Sequence, residues 1–462
     1  MTRSLRVAVV GAGPAGIYAA DILTKSVPAD SGSADSGSAD SGLDVSIDLF
    51  ERMPAPYGLI RYGVAPDHPR IKGIVNALQR VLDRPGIRFF GNVEYGVDLK
   101  LEDLRHFYDA VIFSTGAEKD RALDIPGIDL DGSYGAADFV SWYDGHPDVP
   151  RTWPLRAREV AVLGVGNVAL DVARVLAKTA DELLSTDIPD NVYEGLKSSP
   201  VTDVHVFGRR GPAQAKFTPL ELRELDHSPN VEVIVHPEGI DFDQASMATI
   251  RSNKQVEMVV KTLQEWAIRD VGSRPRRLHL HFLEAPVEVL GSTEVTGLRT
   301  ERMELTGDGG VRGTGEFTDW PAQAVYRAVG YLSTHLVDLP FDHTSGTVPH
   351  QAGRVLDLDE QAMTGVYVTG WIKRGPIGLI GHTKGDALET VTSLLADAPT
   401  LPVAPSREPD AVVRFLEQRA VPFTTVDGWR KLDAHEIALG ADRDRDRVKV
   451  VDRAEMTDIC RS

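Results

Sequence analysis

The chain has 462 residues, 42% of them hydrophobic and 26% charged, which is the length of two or three ordinary domains and the balance of a soluble globular protein. A net charge of −18 argues against non-specific binding of nucleic acid, whose phosphates would meet a repulsive field. The single cysteine, Cys460, excludes an internal disulfide, a dithiol redox pair, a Cys-ligated zinc and an iron–sulfur cluster, and reads as a tail residue without a role; no metal site is assigned.

No apolar run approaches the about 18 residues of a membrane span. The amino terminus enters a strand directly, without a secretory signal, so a cytoplasmic location is expected. A strand over residues 5–10 leads into "GAGPAG", a helix over residues 15–26 and a second strand over residues 45–50. Between that helix and strand, residues 29–42 repeat Ala-Asp-Ser-Gly-Ser and read as a flexible solvated linker. A Pro/Gly-rich loop, "PYGLIRYGVAPDHPRIK", then enters a helix, and "DAVIFSTGA" is a buried strand ending in a small-residue turn.

A second strand–turn–helix begins near Val160 with "GVGNVALD", followed by strands over residues 204–207 and 231–235. Residues 278–329 alternate apolar and polar, as antiparallel strands do. The chain returns to a strand in "GVYVTGW" and a helix opening near Gly378. Its last sixty residues end in "ADRDRDRVKVVDRAE", expected to be a packed appendage with a solvated charged face.

In the first unit Gly11, Gly13 and Gly16 fit a dinucleotide-binding turn. The first glycine makes the turn, the second lets backbone approach a pyrophosphate, and the third lets helix and strand pack closely. Glu51, ending the next strand, can accept both ribose hydroxyls. The Thr-Gly turns of "FSTGA" and "GVYVTGW" suit FAD, and a helix amino end near Gly378 can face a flavin that becomes anionic on reduction. In the second unit Gly164 and Gly166 are followed by Ala169 at the third position. The strand after it ends in Arg209 and Arg210 where an NAD site carries an acid. A guanidinium binds phosphate through a planar fork, so the second nucleotide reads as NADPH.

Together "VGAGPAGIYAA", "PYGLIRYGVAPDHPRIK", "GVGNVALDVARVL", "GRRGPAQAKFTPLELREL" and "GWIKRGPIGLIGHTKGDA" resemble the adrenodoxin-reductase-like ferredoxin–NADP reductases, bacterial NADPH:ferredoxin reductases included, over nearly the whole chain. The resemblance implies an α/β fold with two Rossmann-like domains of the glutathione-reductase type. An FAD domain (residues 1–117 and 331–462, with an appendage from about 401) would be interrupted by an NADPH domain (residues 118–330). It implies FAD contacts at Gly11, Gly13, Ala15, Gly16, Glu51, Leu59, Val93, Trp371, Gly378, Leu379 and Ile380. It implies NADP contacts at Arg121, Val165, Gly166, Asn167, Val168, Arg209, Arg210, Glu221 and Gly378. His68 and Glu224 match an active-site ionic couple, and Trp371 counts with them as catalytic. Val165, where relatives carry a polar residue, and the Ala-Asp-Ser-Gly repeat depart from the pattern.

The activity implied is hydride transfer from NADPH to FAD, then single-electron transfer to a ferredoxin. An NADPH-dependent flavin oxidase or monooxygenase, a non-catalytic redox-sensing flavoprotein, and the electron-input subunit of a larger complex stay open as alternatives. A basic docking patch for an acidic ferredoxin is sought at Arg251, Lys254, Arg274, Arg276 and Arg277, with Lys373 and Arg374 nearer the flavin.

Overall fold

The computed structural model describes residues 3–26, 43–378 and 380–462; the Ala-Asp-Ser-Gly repeat and Leu379 lie outside them. Two parallel sheets organise the chain. The first orders its strands His350–Gln351, Arg354–Leu356, Ala362–Val368, Ala110–Phe113, Arg3–Val10, Leu43–Glu51 and Ile87–Gly91. The last five are parallel and the first two antiparallel. The central strand Arg3–Val10 is buried on both faces, hence its nearly unbroken apolar run. One apolar cluster covers the face carrying Val7 and Val9, and another the face carrying Ala8 and Val10.

The second sheet is wholly parallel, in the order Ser133–Gly135, Ala324–Arg327, Glu159–Leu163, Asp203–Gly208, Arg276–Phe282 and Val231–Val235. Against it lies an antiparallel sheet of Glu284–Gly291, Val295–Leu305 and Val311–Pro321, as the alternation of residues 278–329 predicts in part. The ends of that stretch instead supply parallel strands to the larger sheet. The chain passes between the two parallel sheets at Lys119–Asp120 and Tyr331–Leu332, which pair with each other. In both parallel sheets a glycine turn follows a strand whose two neighbours connect in opposite directions, the place where α/β sheets open a binding crevice.

Two expectations fail at the carboxyl end. Cys460 is buried among apolar side chains under helix Val426–Ala441, and burial lifts its thiol pKa to about 11; it is a packed core residue. The stretch around residues 441–455 is not simply solvated. Arg445 donates to the Ile188 carbonyl and pairs with Asp190 at 2.8 Å, and Lys449 pairs with Asp187 at 3.1 Å and Asp144 at 3.3 Å. These cations are buried because their partners sit on the other half of the molecule, which composition does not reveal. Among the described residues no helix is long and apolar enough to cross a membrane.

Candidate active site

Both glycine turns are built for something outside the protein. Gly11 takes φ +102°, and a Cβ there would lie 2.6 Å from the Ser114 carbonyl oxygen; at Gly16 it would lie 2.0 Å from the Gly11 oxygen. Gly164 takes φ +133°, with the Ala328 oxygen 2.3 Å from a Cβ. The middle glycines differ: a Cβ on Gly13 would meet only the Gly58 Cα, at 3.9 Å, and one on Gly166 nothing within 4 Å. Each caps a helix, Pro14–Lys25 and Asn167–Ala177, that has no side-chain cap and no acid in its first turn. Unfilled N–H groups facing open space at a positive helix end fit a pyrophosphate. FAD and NADPH therefore fit the two cradles.

What answers each cradle differs. Glu51 is buried; its oxygens accept the Ala12 N–H at 2.9 Å and the Met53 N–H at 3.1 Å. Burial raises its pKa against those two bonds. Leu59 opens helix Leu59–Tyr62 beyond Gly58, and the Tyr57 N–H binds the Ala12 carbonyl, closing this loop over the turn. Val93 is buried in the core, its N–H spent on the Glu51 carbonyl, so only its own carbonyl is left to serve a nucleotide directly. Ala15 touches the Gly370 turn, where a Cβ would lie 2.7 Å from it.

In the second unit Val165 tucks its side chain against Gly208 (2.7 Å to a Cβ there) and its carbonyl accepts the Lys216 N–H, so a nonpolar residue suffices. The Asn167 Oδ1 accepts the Thr218 N–H at 3.0 Å, and Val168 packs beside the apolar cluster of Ala117, Ala137 and Tyr331. Arg209 is exposed and Arg210 half-buried, and neither guanidinium has a hydrogen bond or ion pair among the described residues. Two uncommitted forks beyond strand Asp203–Gly208 are suited to a phosphate.

The Trp371 turn is held by Asp386, which accepts from Thr369 Oγ1 at 2.9 Å and from the Gly370 N–H at 2.5 Å, and pairs with Lys373 at 3.1 Å and Arg374 at 2.8 Å. Gly378, at φ +87°, precedes helix Ile380–Asp397. Arg121 and Lys216 line a cavity of about 410 Å³ with Tyr331, Lys373, Arg374 and Ile377, so residues attached to both sheets meet there.

His68 does not pair with Glu224. Its Nε2 lies 2.8 Å from Glu221 and 3.1 Å from Asp171, while Glu224 pairs with the exposed His227 at 3.1 Å. Helix Pro219–Glu224 is short, and its first turn, not its last, is pressed inward: Glu221 is 5% exposed and Glu224 partly exposed. Glu221, expected at the nucleotide, thus turns its carboxylate onto His68. Arg174 completes the cluster, 2.8 Å from both Asp67 and Asp171, with Lys178 2.7 Å from Asp67. Burial would lower the His68 pKa, but hydrogen bonds to Asp171 and Glu221 outweigh it and lift it to about 9. Protonated His68, Arg174 and Lys178 then balance Asp67, Asp171 and Glu221. Sequence reading missed Asp171 and Arg174; the signal was a charged pair at i, i+3 inside an otherwise apolar helix.

The expected basic patch is largely neutralised. Arg274 lies near Asp226 (3.7 Å) and Glu232 (3.8 Å), and Arg277 pairs with Asp203; Arg276 donates to the Ala177 and Lys178 carbonyls. Lys373 and Arg374 belong to Asp386, leaving exposed Arg251 and Lys254 without an ion pair among the described residues.

Comparison with known proteins agrees with this geometry. The family model for pyridine nucleotide-disulphide oxidoreductases matches residues 5–269. The NADPH-ferredoxin reductase FprA of Mycobacterium tuberculosis is 40% identical over 467 positions, covering 98% of each chain. Human mitochondrial NADPH:adrenodoxin oxidoreductase is 37% identical, over 98% of this chain and 91% of its own. The structure of M. tuberculosis FprA in complex with NADPH superposes with a TM-score of 0.89 at 38% identity, covering both chains completely.

Proposed function

This chain belongs to the pyridine nucleotide-disulphide oxidoreductase family, among its NADPH–ferredoxin and NADPH–adrenodoxin reductases, and from that premise we propose that it oxidises NADPH and passes the electrons to a ferredoxin-type iron–sulfur protein. FAD, when bound, supplies the chemistry, taking electrons as a pair from NADPH and giving them up singly. The observation that carries the reading is the pair of open helix caps, one answered by Glu51 and the other by Arg209 and Arg210.

The protein's own part is to bind, orient and exclude. Residues 1–117 and 331–462 form the FAD domain in this reading, and residues 118–330 the NADPH domain. Gly13 and the first turn of helix Pro14–Lys25 hold one pyrophosphate while Glu51 accepts from ribose hydroxyls. Gly166 and helix Asn167–Ala177 hold the other, with Arg209 and Arg210 donating to the 2′-phosphate. Gly378 and Trp371, the latter following the Thr369-Gly370 turn that Asp386 holds, would line the place where flavin and nicotinamide meet. Hydride transfer needs no acid or base, so the gain is one of positioning. His68 is a positioning residue that joins the two domains through Asp171 and Glu221. With one cysteine the chain has no dithiol to relay electrons, so they leave directly for the acceptor. A cytoplasmic location belongs to this reading and is checked by fractionation, since some relatives are named mitochondrial.

Anaerobic titration tests the proposal. The yellow protein should bleach with NADPH and regain colour on adding oxidised ferredoxin. Colourless protein, or flavin left oxidised by NADPH, would refute it.

A further inference from the structure

Away from both cradles, the second parallel sheet carries four histidines on one patch. His205 stands on strand Asp203–Gly208, His279 and His281 on the adjacent strand Arg276–Phe282, and His236 just past strand Val231–Val235. The register sets His279 directly beside His205, with rings stacked at 4.3 Å; His236 stacks on His281 at 4.2 Å. Trp320 and Phe207 pack against His281, with centroids at 4.5 and 4.7 Å. Valines alternating with these histidines, Val204 and Val206, face the core on the opposite side. None of the four serves either nucleotide in the reading above.

We propose that His205, His279 and His281 form a binding site for a divalent transition ion that favours imidazole, Zn²⁺ foremost, with His236 beside them as the fourth imidazole. One nitrogen from each of the three lies within 4.8 Å of the others. Ligands of a tetrahedral zinc stand roughly 3.3 Å apart at bonds of about 2.0–2.1 Å, and the three rings, which stand within 20° of parallel, must turn about their Cβ–Cγ bonds to aim their nitrogens at one point. The His205 Nδ1 and His281 Nε2 are already 3.0 Å apart.

The hydrogen bonds favour a cation here. Asp203 lies 3.0 Å from the His279 Nε2, which leaves Nδ1 as that ring's metal-binding atom. A carboxylate behind a histidine fixes its tautomer and raises its basicity toward a metal. Nδ1 now faces the His236 Nε2 at 3.2 Å. Two imidazole pairs thus meet nitrogen to nitrogen, each able to share only one proton, where an ion would take both lone pairs. A second group of ligand types, His68, Asp171 and Glu221, differs in holding Arg174 among its carboxylates and needs no further cation.

Such an ion ties together the strands around His205, His279 and His281 and should stabilise the fold by binding it selectively. The test uses tag-free, FAD-loaded protein, stripped with chelator and titrated with ZnCl₂. One Zn²⁺ per chain should bind saturably at micromolar concentration or below and raise the thermal midpoint. X-ray absorption should show at least three nitrogen ligands. His279→Gln and His205→Gln should each weaken binding by ~100-fold, and Asp203→Asn by 10–100-fold, as loss of an orienting carboxylate does. No saturable site in the wild type, or Zn²⁺ binding unchanged in both histidine variants, would overturn the proposal. The wild-type titration decides even if a variant fails to fold.

Discussion

The two strand–turn–helix units share a backbone plan and differ at two places, the third glycine position and the end of the following strand. At the third glycine position the first unit has no room at all: a Cβ on Gly16 would sit 2.0 Å from a carbonyl oxygen, while the second accommodates Ala169 fully buried. At the strand end, the first presents a buried carboxylate already bonded to two backbone N–H groups, and the second two guanidiniums bonded to nothing among the described residues. In the proposed reading the cradle recognises what the nucleotides have in common, and their difference is read one strand away, by an acceptor in one case and by donors in the other.

Substitutions can sharpen that contrast. Gly16→Ala forces backbone apart and should cost ~3 kcal/mol or more, giving protein purified largely without flavin. The mirror change, Ala169→Gly, should cost about 1 kcal/mol and keep a full flavin spectrum. Glu51→Ala strands two buried N–H donors at about 1–3 kcal/mol each; flavin release on thermal ramping should occur well below the wild-type temperature. His68→Gln probes the join between the units. Because the folded pKa is raised, the stability His68 contributes is fully present below about 6.5 and is lost as pH rises through about 9. The wild type should therefore lose thermal stability across that window and the variant much less; parallel profiles would mean the cluster holds nothing together. Smallest is the salt response. With most of the expected patch neutralised, added salt should raise the KM for ferredoxin only a few-fold, yet more than the KM for a neutral dye.

The places of both glycine turns, Glu51 and the arginine pair at strand and helix ends were legible because these residues sit at fixed distances along the chain, next to the elements that carry them. The antiparallel sheet was visible in alternation. The partner of His68 was not: Glu221 and Glu224 lie one helical turn apart, and only the docking of that short helix decides which carboxylate faces inward. Arg445 and Lys449 read as solvent-exposed because their acids, Asp190, Asp187 and Asp144, lie over 250 residues away in sequence. The histidine patch was invisible for a related reason. His205 and His279 become neighbours only through the register of two parallel strands.

The claim that strand-end chemistry tells the two cradles apart is tested most directly by kcat/KM for NADPH and for NADH in the Arg209→Ala/Arg210→Ala protein. Each lost charge-assisted contact is worth about 1.5–3 kcal/mol, so NADPH efficiency should fall at least tenfold per arginine while NADH efficiency stays close to wild type. An equal fall with both dinucleotides would contradict the account.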